Sequence, residues 1–196
     1  MEHIVGPVFV FGTGLGIVGT VALIAWIYEK TRPKMEHPSL GRLTFSAGSW
    51  WGMRARGEQS VRFELPGDKS GPDSEAVEKF AALWGDLAEI LSALKPVALE
   101  ELRSTFQDWD DSEKSAIESE LEVSLTEVEG NLEGHWLLSE IALKDMQTDP
   151  GSEVPRWCWN LEFEVSWDPE HGRTAYLDLD RELLYYDLSC VVYLLD

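Results

Sequence analysis

Two short polar clusters hold the side chains best suited to chemistry. Asp108-Trp109-Asp110-Asp111-Ser112-Glu113 sets four carboxylates within six residues. Hard cations such as Ca²⁺ favour several carboxylate oxygens on one short loop. The spacing departs from that of an EF-hand, which requires a glycine at its sixth position and a distal glutamate, so no metal site is assigned. Acids at the start of a helix beginning at Ser112, with Asp111 or Ser112 as cap, account for the same letters. The second cluster is Trp167-Asp168-Pro169-Glu170-His171-Gly172. A histidine beside carboxylates can serve general acid/base catalysis because its pKa lies near neutrality. His171 with Glu170 is therefore the pair an enzyme would use. No serine, cysteine or lysine nucleophile stands around them in a recognisable pattern, so no catalytic residue is assigned. The structural alternative is a turn in which Asp168 accepts backbone amides, Pro169 presets φ and Gly172 supplies a positive φ.

Charge limits what such groups can bind. The 196 residues carry 16 Lys and Arg against 36 Asp and Glu, a net charge of −20. A chain this acidic repels phosphate backbones, which argues against nucleic acid as a partner. Residues 100–153 alone hold 16 acidic and 3 basic side chains. Such a run is a solvated face or a docking surface for a basic protein, since complementary potentials raise association rates. The residues assigned to partner binding are Asp108, Asp110, Asp111 and Glu113 in the first cluster, and Trp167, Asp168, Glu170 and His171 in the second. Cys158 and Cys190 fall on expected strands and read as core; neither has a second ligand at zinc spacing. No cofactor is implied.

These clusters require elements to position them. Residues 4–28 contain no charge and, at about 1.5 Å of rise per residue, exceed the roughly 30 Å of a bilayer's hydrocarbon core. The expectation is an uncleaved single-pass anchor spanning 1–30, followed by a juxtamembrane tether over 31–38 and an α+β domain over 39–196. Lys30, Arg32, Lys34 and Arg42 follow the span and no Lys or Arg precedes it. The positive-inside rule then places the N-terminus outside and the domain in the cytoplasm, at the inner membrane. Gly12 and Gly16 form a small-xxx-small face on which two spans could pack, a route to a homo-oligomer or to a structural role in a membrane assembly.

Beyond the tether, Gly41 to Ser46, 50–56 and 61–65 read as strands, the last alternating Val61, Phe63 and Leu65. Val77, Phe80, Ala81, Trp84, Leu87, Ala88, Leu91 and Leu94 recur at helical spacing. That helix is expected to end at Lys95, with Pro96 starting a second helix through Phe106 and a third running over 112–121. Trp157, Trp159, Leu161, Phe163, Val165 and Trp167 then alternate as a half-buried strand. With 136–146, 175–179 and 183–193 it makes an antiparallel meander. The fold expected is a mostly antiparallel sheet with two to three helices on one face.

The strand ending in W-D-x-E-H-G resembles the C-terminal hairpin of a family of small, uncharacterised bacterial domains, some of them similar to immunity proteins encoded beside polymorphic toxins. Pro38-Ser39-Leu40-Gly41-Arg42-Leu43, followed by Trp50-Trp51-Gly52, is similar to the opening of such domains. The resemblance implies an α+β fold and no established activity. Combined with the acidity and the span, it gives the expectation of a membrane-anchored, non-enzymatic, protein-binding module, an immunity-type protein that neutralises a toxin.

Overall fold

The computed structural model describes residues 30–107, 109–122, 124–145, 157–168 and 171–188. Nine strands form one sheet: β1 Lys34–His37, β2 Gly41–Ser46, β3 Ser49–Arg56, β4 Gln59–Asp68, β5 Gly71–Pro72, β6 Trp136–Asp145, β7 Trp157–Val165, β8 Arg173–Leu177 and β9 Leu183–Leu188. Among the described residues five helices lie between β5 and β6: α1 Ser74–Gly85, α2 Leu87–Gln107, α3 Asp111–Leu121, α4 Leu125–Gly130 and α5 Leu132–His135. The strand order is β1-β2-β3-β4-β6-β7-β8-β9, with β5 paired to β4. Two antiparallel meanders therefore meet at one parallel seam, where Arg62, Phe63 and Glu64 face Glu140, Ile141 and Ala142. A parallel neighbour demands a crossover, and the helices supply it.

Alternation sorts the sheet into two faces of different chemistry. Val61, Phe63 and Leu65 on β4, Ile141 and Leu143 on β6, and Trp159, Leu161 and Phe163 on β7 point to the helices and are buried. Phe80 of α1 joins the layers, with its ring centroid 4.7 Å from Phe63 and 6.3 Å from Trp159. Each such side chain contributes about 1.5–3 kcal/mol by leaving water. Gly52 lies in this layer because nothing larger fits: a Cβ there would strike the Phe63 ring and come within 2.8 Å of Leu43 Cδ2. Gly52→Ala is expected to cost about 1–3 kcal/mol by overpacking. Urea denaturation reads this directly, and an unchanged midpoint would refute the packing argument.

The helical break lies ten residues earlier than Pro96 suggests. Pro96 sits inside α2, and the chain turns instead at Gly85-Asp86. An interior proline costs about 3 kcal/mol through a lost hydrogen bond and a ring clash. Ile90, Leu91, Leu94, Ala98, Leu102 and Phe106 stay in phase across it and are all buried, and burying about two such side chains already offsets the proline. Asp86 suits the junction because its amide closes α1 on Ala82 O while its own carbonyl accepts the amides of Glu89 and Ile90.

The N-terminal expectation is corrected. Residues 4–28, with Gly12 and Gly16, lie outside the described residues, and among the described residues no helix is long and apolar enough to cross a membrane. The longest, the 21-residue α2, carries Glu89, Lys95, Glu100 and Arg103 off its buried stripe and is amphipathic rather than apolar all round. The single-pass anchor, the inner-membrane placement and the helix packing through Gly12 and Gly16 are accordingly dropped from the account. Nor is 31–38 only a tether: Lys34–His37 is a strand paired in register with Gly41 to Thr44 of β2.

Candidate functional site

The W-D-x-E-H-G loop joins β7 to β8, and its stiffness comes from a residue just beyond the motif. Asp168 O accepts the amides of His171 and Gly172, and Gly172 takes φ 59°. Among the described residues the carboxylate of Asp168 is engaged by the side chains of His171 and Arg173. Its Oδ1 lies 2.9 Å from His171 Nδ1, and its Oδ2 accepts from Arg173 at 2.8 Å. Arg173 also donates to Gly172 O at 2.7 Å and to Glu101 Oε1 of α2 at 2.7 Å. It is only 1% exposed. A buried guanidinium with two carboxylate partners is strongly held, because desolvation would otherwise be uncompensated. Burial works to raise the Asp168 pKa, but the hydrogen bonds and charges of Arg173 and His171 outweigh it and hold the carboxyl below its usual range.

This loop forms one rim of an open cleft of about 950 Å³. Its floor is the sheet face away from the helices, and its lining includes Met53, Ser60 and Arg62 from β3 and β4, Ser139 from β6, and Glu162 and Glu164 from β7. His135 Nδ1 lies 2.9 Å from Ser166 Oγ at the same rim. Arg62 is paired with Glu140 across the parallel seam. Glu162 lies beside that pair, and burial pushes its carboxyl pKa up, helped by Glu140 and opposed by Lys144 and Arg62.

A carboxylate raised in the folded state costs stability once it ionises. That cost is absent below the ordinary carboxylate pKa and fully present above the raised one. Glu162→Gln is therefore expected to stabilise the protein at pH 7.5 and to lose this advantage at pH 4. Thermal melts at the two pH values test the sign; an equal offset at both would contradict it.

No family model, no curated protein and no solved structure matches the chain. The cleft gathers Asp168 and His171 from the candidates assigned in the sequence. Asp110, Asp111 and Glu113 are not among its lining residues. Asp110 caps α3 by accepting the amides of Ser112 and Glu113, and Glu113 closes the capping box by accepting Asp110 N. Two of the four acids in that cluster thus hold a helix end. Trp167 is 3% exposed and belongs to the core. Asp108 and Glu170 lie outside the described residues, as does Cys190. Cys158 is fully buried, and burial pushes its thiol up to about 11. Among the described residues no group of three His, Cys, Asp or Glu is arranged to hold a metal ion.

Sequence reading passed over Arg62, Arg173, Glu101, Glu162 and Glu164. For Arg173 a signal was present: it opens a strand whose next inward positions are Ala175 and Leu177, so a charge had to enter the core face. Arg62 and Glu140 gave none, being 78 residues apart.

Proposed function

We propose that the chain is a non-enzymatic protein-binding module that recognises a cationic segment of another protein through this cleft, in the manner of an immunity-type protein neutralising a toxin. The observation that carries the reading is the placement of Glu162, Glu164 and Asp168 around one concavity whose loop is locked by Arg173. Preorganised carboxylates lose little freedom on binding, so more of the interaction energy reaches the affinity. A lysine or arginine placed beside Glu162 would also favour its ionised form, which burial disfavours. The exposed acids of α3 and α4 add a long-range field that speeds encounter with a basic partner. His135 and His171 each engage ring Nδ1 in a local contact, with Ser166 and Asp168, which suits them to shaping the rim.

The test is a capture experiment from the native cell at low and high salt, run with the wild type, with Glu162→Lys/Glu164→Lys and with Asp111→Lys. A basic protein recovered at low salt by the wild type and by Asp111→Lys, but not by the double variant, supports the cleft. Recovery that fails only with Asp111→Lys would move recognition to α3, and recovery independent of salt and of all three substitutions would end the acidic-recognition reading.

A further inference from the structure

The same sheet face changes sign toward its other edge. Residues 30–62 hold seven of the chain's 16 basic residues and only two acidic ones, and of the seven Arg54 and Arg56 turn toward the helices, where Arg54 lies over the Phe80 and Trp84 rings. Three of the arginines, Arg32, Arg42 and Arg62, line a hollow of about 650 Å³ over β2 and β3, together with Thr44, Ser46 and Trp51. No aspartate or glutamate is among its lining residues. In a protein of net charge −20, three guanidinium groups share this concavity, and the carboxylate that meets Arg62, Glu140, lies outside its lining. Arg42 faces Glu36 in the β1–β2 register, yet among the described residues its guanidinium makes no hydrogen bond or ion pair. Arg62 is held in place from one side by Glu140 and lies 5.3 Å from the centre of the Trp51 ring. Trp51 is itself fixed, donating Nε1 to Ser46 O at 3.2 Å.

We propose that this hollow binds the phosphate group of a small organic phosphate, with Arg32, Arg42 and Arg62 as cationic donors and the hydroxyls of Thr44 and Ser46 beside them. Guanidinium forks match phosphate oxygens in pairs, which a point-charge ammonium does not. The organic body lies against Trp51 and Met53, the latter 56% exposed on the hollow's rim. The volume of about 650 Å³ falls in the roughly 300–1,000 Å³ range of small-molecule sites, so a metabolite-sized phosphate fits it. This inference goes beyond the cationic-partner reading and stands on different residues, sharing only Arg62 and Met53 with the cleft.

Isothermal titration of the full chain with phenyl phosphate tests it, alongside inorganic phosphate, benzoate and a glutamate-rich peptide. Phenyl phosphate is expected to bind saturably, more tightly than inorganic phosphate or benzoate, and about tenfold or more weakly to Arg42→Ala, which removes one charged fork. Arg42→Lys should restore only part of the affinity, and Glu164→Lys, outside the hollow, should retain it. Arg42 is exposed, so both variants are expected to fold, and Thr44→Val gives a second, uncharged probe of the same wall that should also weaken binding. No heat with phenyl phosphate, equal affinity for Arg42→Ala, equal affinity for inorganic phosphate, or tighter binding of the glutamate-rich peptide would each overturn the proposal. Loss of binding in Glu164→Lys would overturn the assignment to this hollow while leaving the cationic-partner reading standing.

Discussion

Replacing Arg173 with methionine is expected to lower the unfolding free energy by about 3 kcal/mol. Removing one partner of a buried ion pair typically costs about 3–5 kcal/mol because the other charge is left uncompensated. The lower end applies here, since the side chains of Asp168 and Glu101 each retain 22% exposure and can be partly rehydrated. The substitution keeps most of the packing volume, so the loss reports charge rather than a cavity. The acid limb supplies an independent check. Asp168 is held below its usual pKa, so its contribution to stability is fully present above the ordinary carboxylate value and disappears as pH falls through the lowered one. In Arg173→Met that acid-dependent loss shrinks, because only His171 remains to hold the carboxylate. Urea denaturation of both proteins at pH 7 and pH 3 measures the two effects together. An Arg173→Met protein as stable as the wild type at pH 7 would show that the triad does not lock the loop.

The other large effect falls on binding. Reversing Glu162 and Glu164 together is expected to weaken a cationic partner about a hundredfold, roughly 1.4 kcal/mol for each tenfold step, since attraction becomes repulsion at two floor positions. Most of that change belongs in the dissociation rate, because the contacts lie within the cleft. Asp111→Lys, on the exposed first turn of α3, acts instead on the association rate and fades with salt. Kinetics at two ionic strengths separate them. A double variant with an unchanged dissociation rate would remove the floor from the recognition surface.

Much of the sheet was legible because its signal is local. Val61, Phe63 and Leu65 alternate in five residues, and Trp157, Trp159, Leu161, Phe163 and Val165 take every second position of β7, so strand identity and inward face follow from period two, although Cys158 and Asn160 between them are buried as well. The helical break was misjudged because Pro96 is a strong local signal, whereas the continuity of Leu94, Ala98 and Leu102 is a tertiary one. β1 escaped notice because Lys34–His37, with the single apolar residue Met35, is too short for its alternation to register and gains its order from pairing with β2. The candidate site was half visible. Asp168 and His171 stand in a readable turn, while the residues that complete the cleft come from strands on either side of the helical crossover. Nothing in the sequence around Arg62 tells that it meets Glu140, because the register of a parallel pair is set by the helices that intervene. Arg173 shows the same limit from the other side: its place in the strand was readable, but not the Glu101 of α2 that keeps it buried.

The most direct test of the cleft is a ¹H–¹⁵N chemical-shift titration of the full chain with a lysine-rich peptide at low salt. Saturable shifts are expected at the amides of Ser139, Glu162, Glu164 and His171, reversed by added salt and absent in Glu162→Lys/Glu164→Lys. Shifts confined to α3 and α4, or none at the cleft amides while the peptide binds, would contradict it.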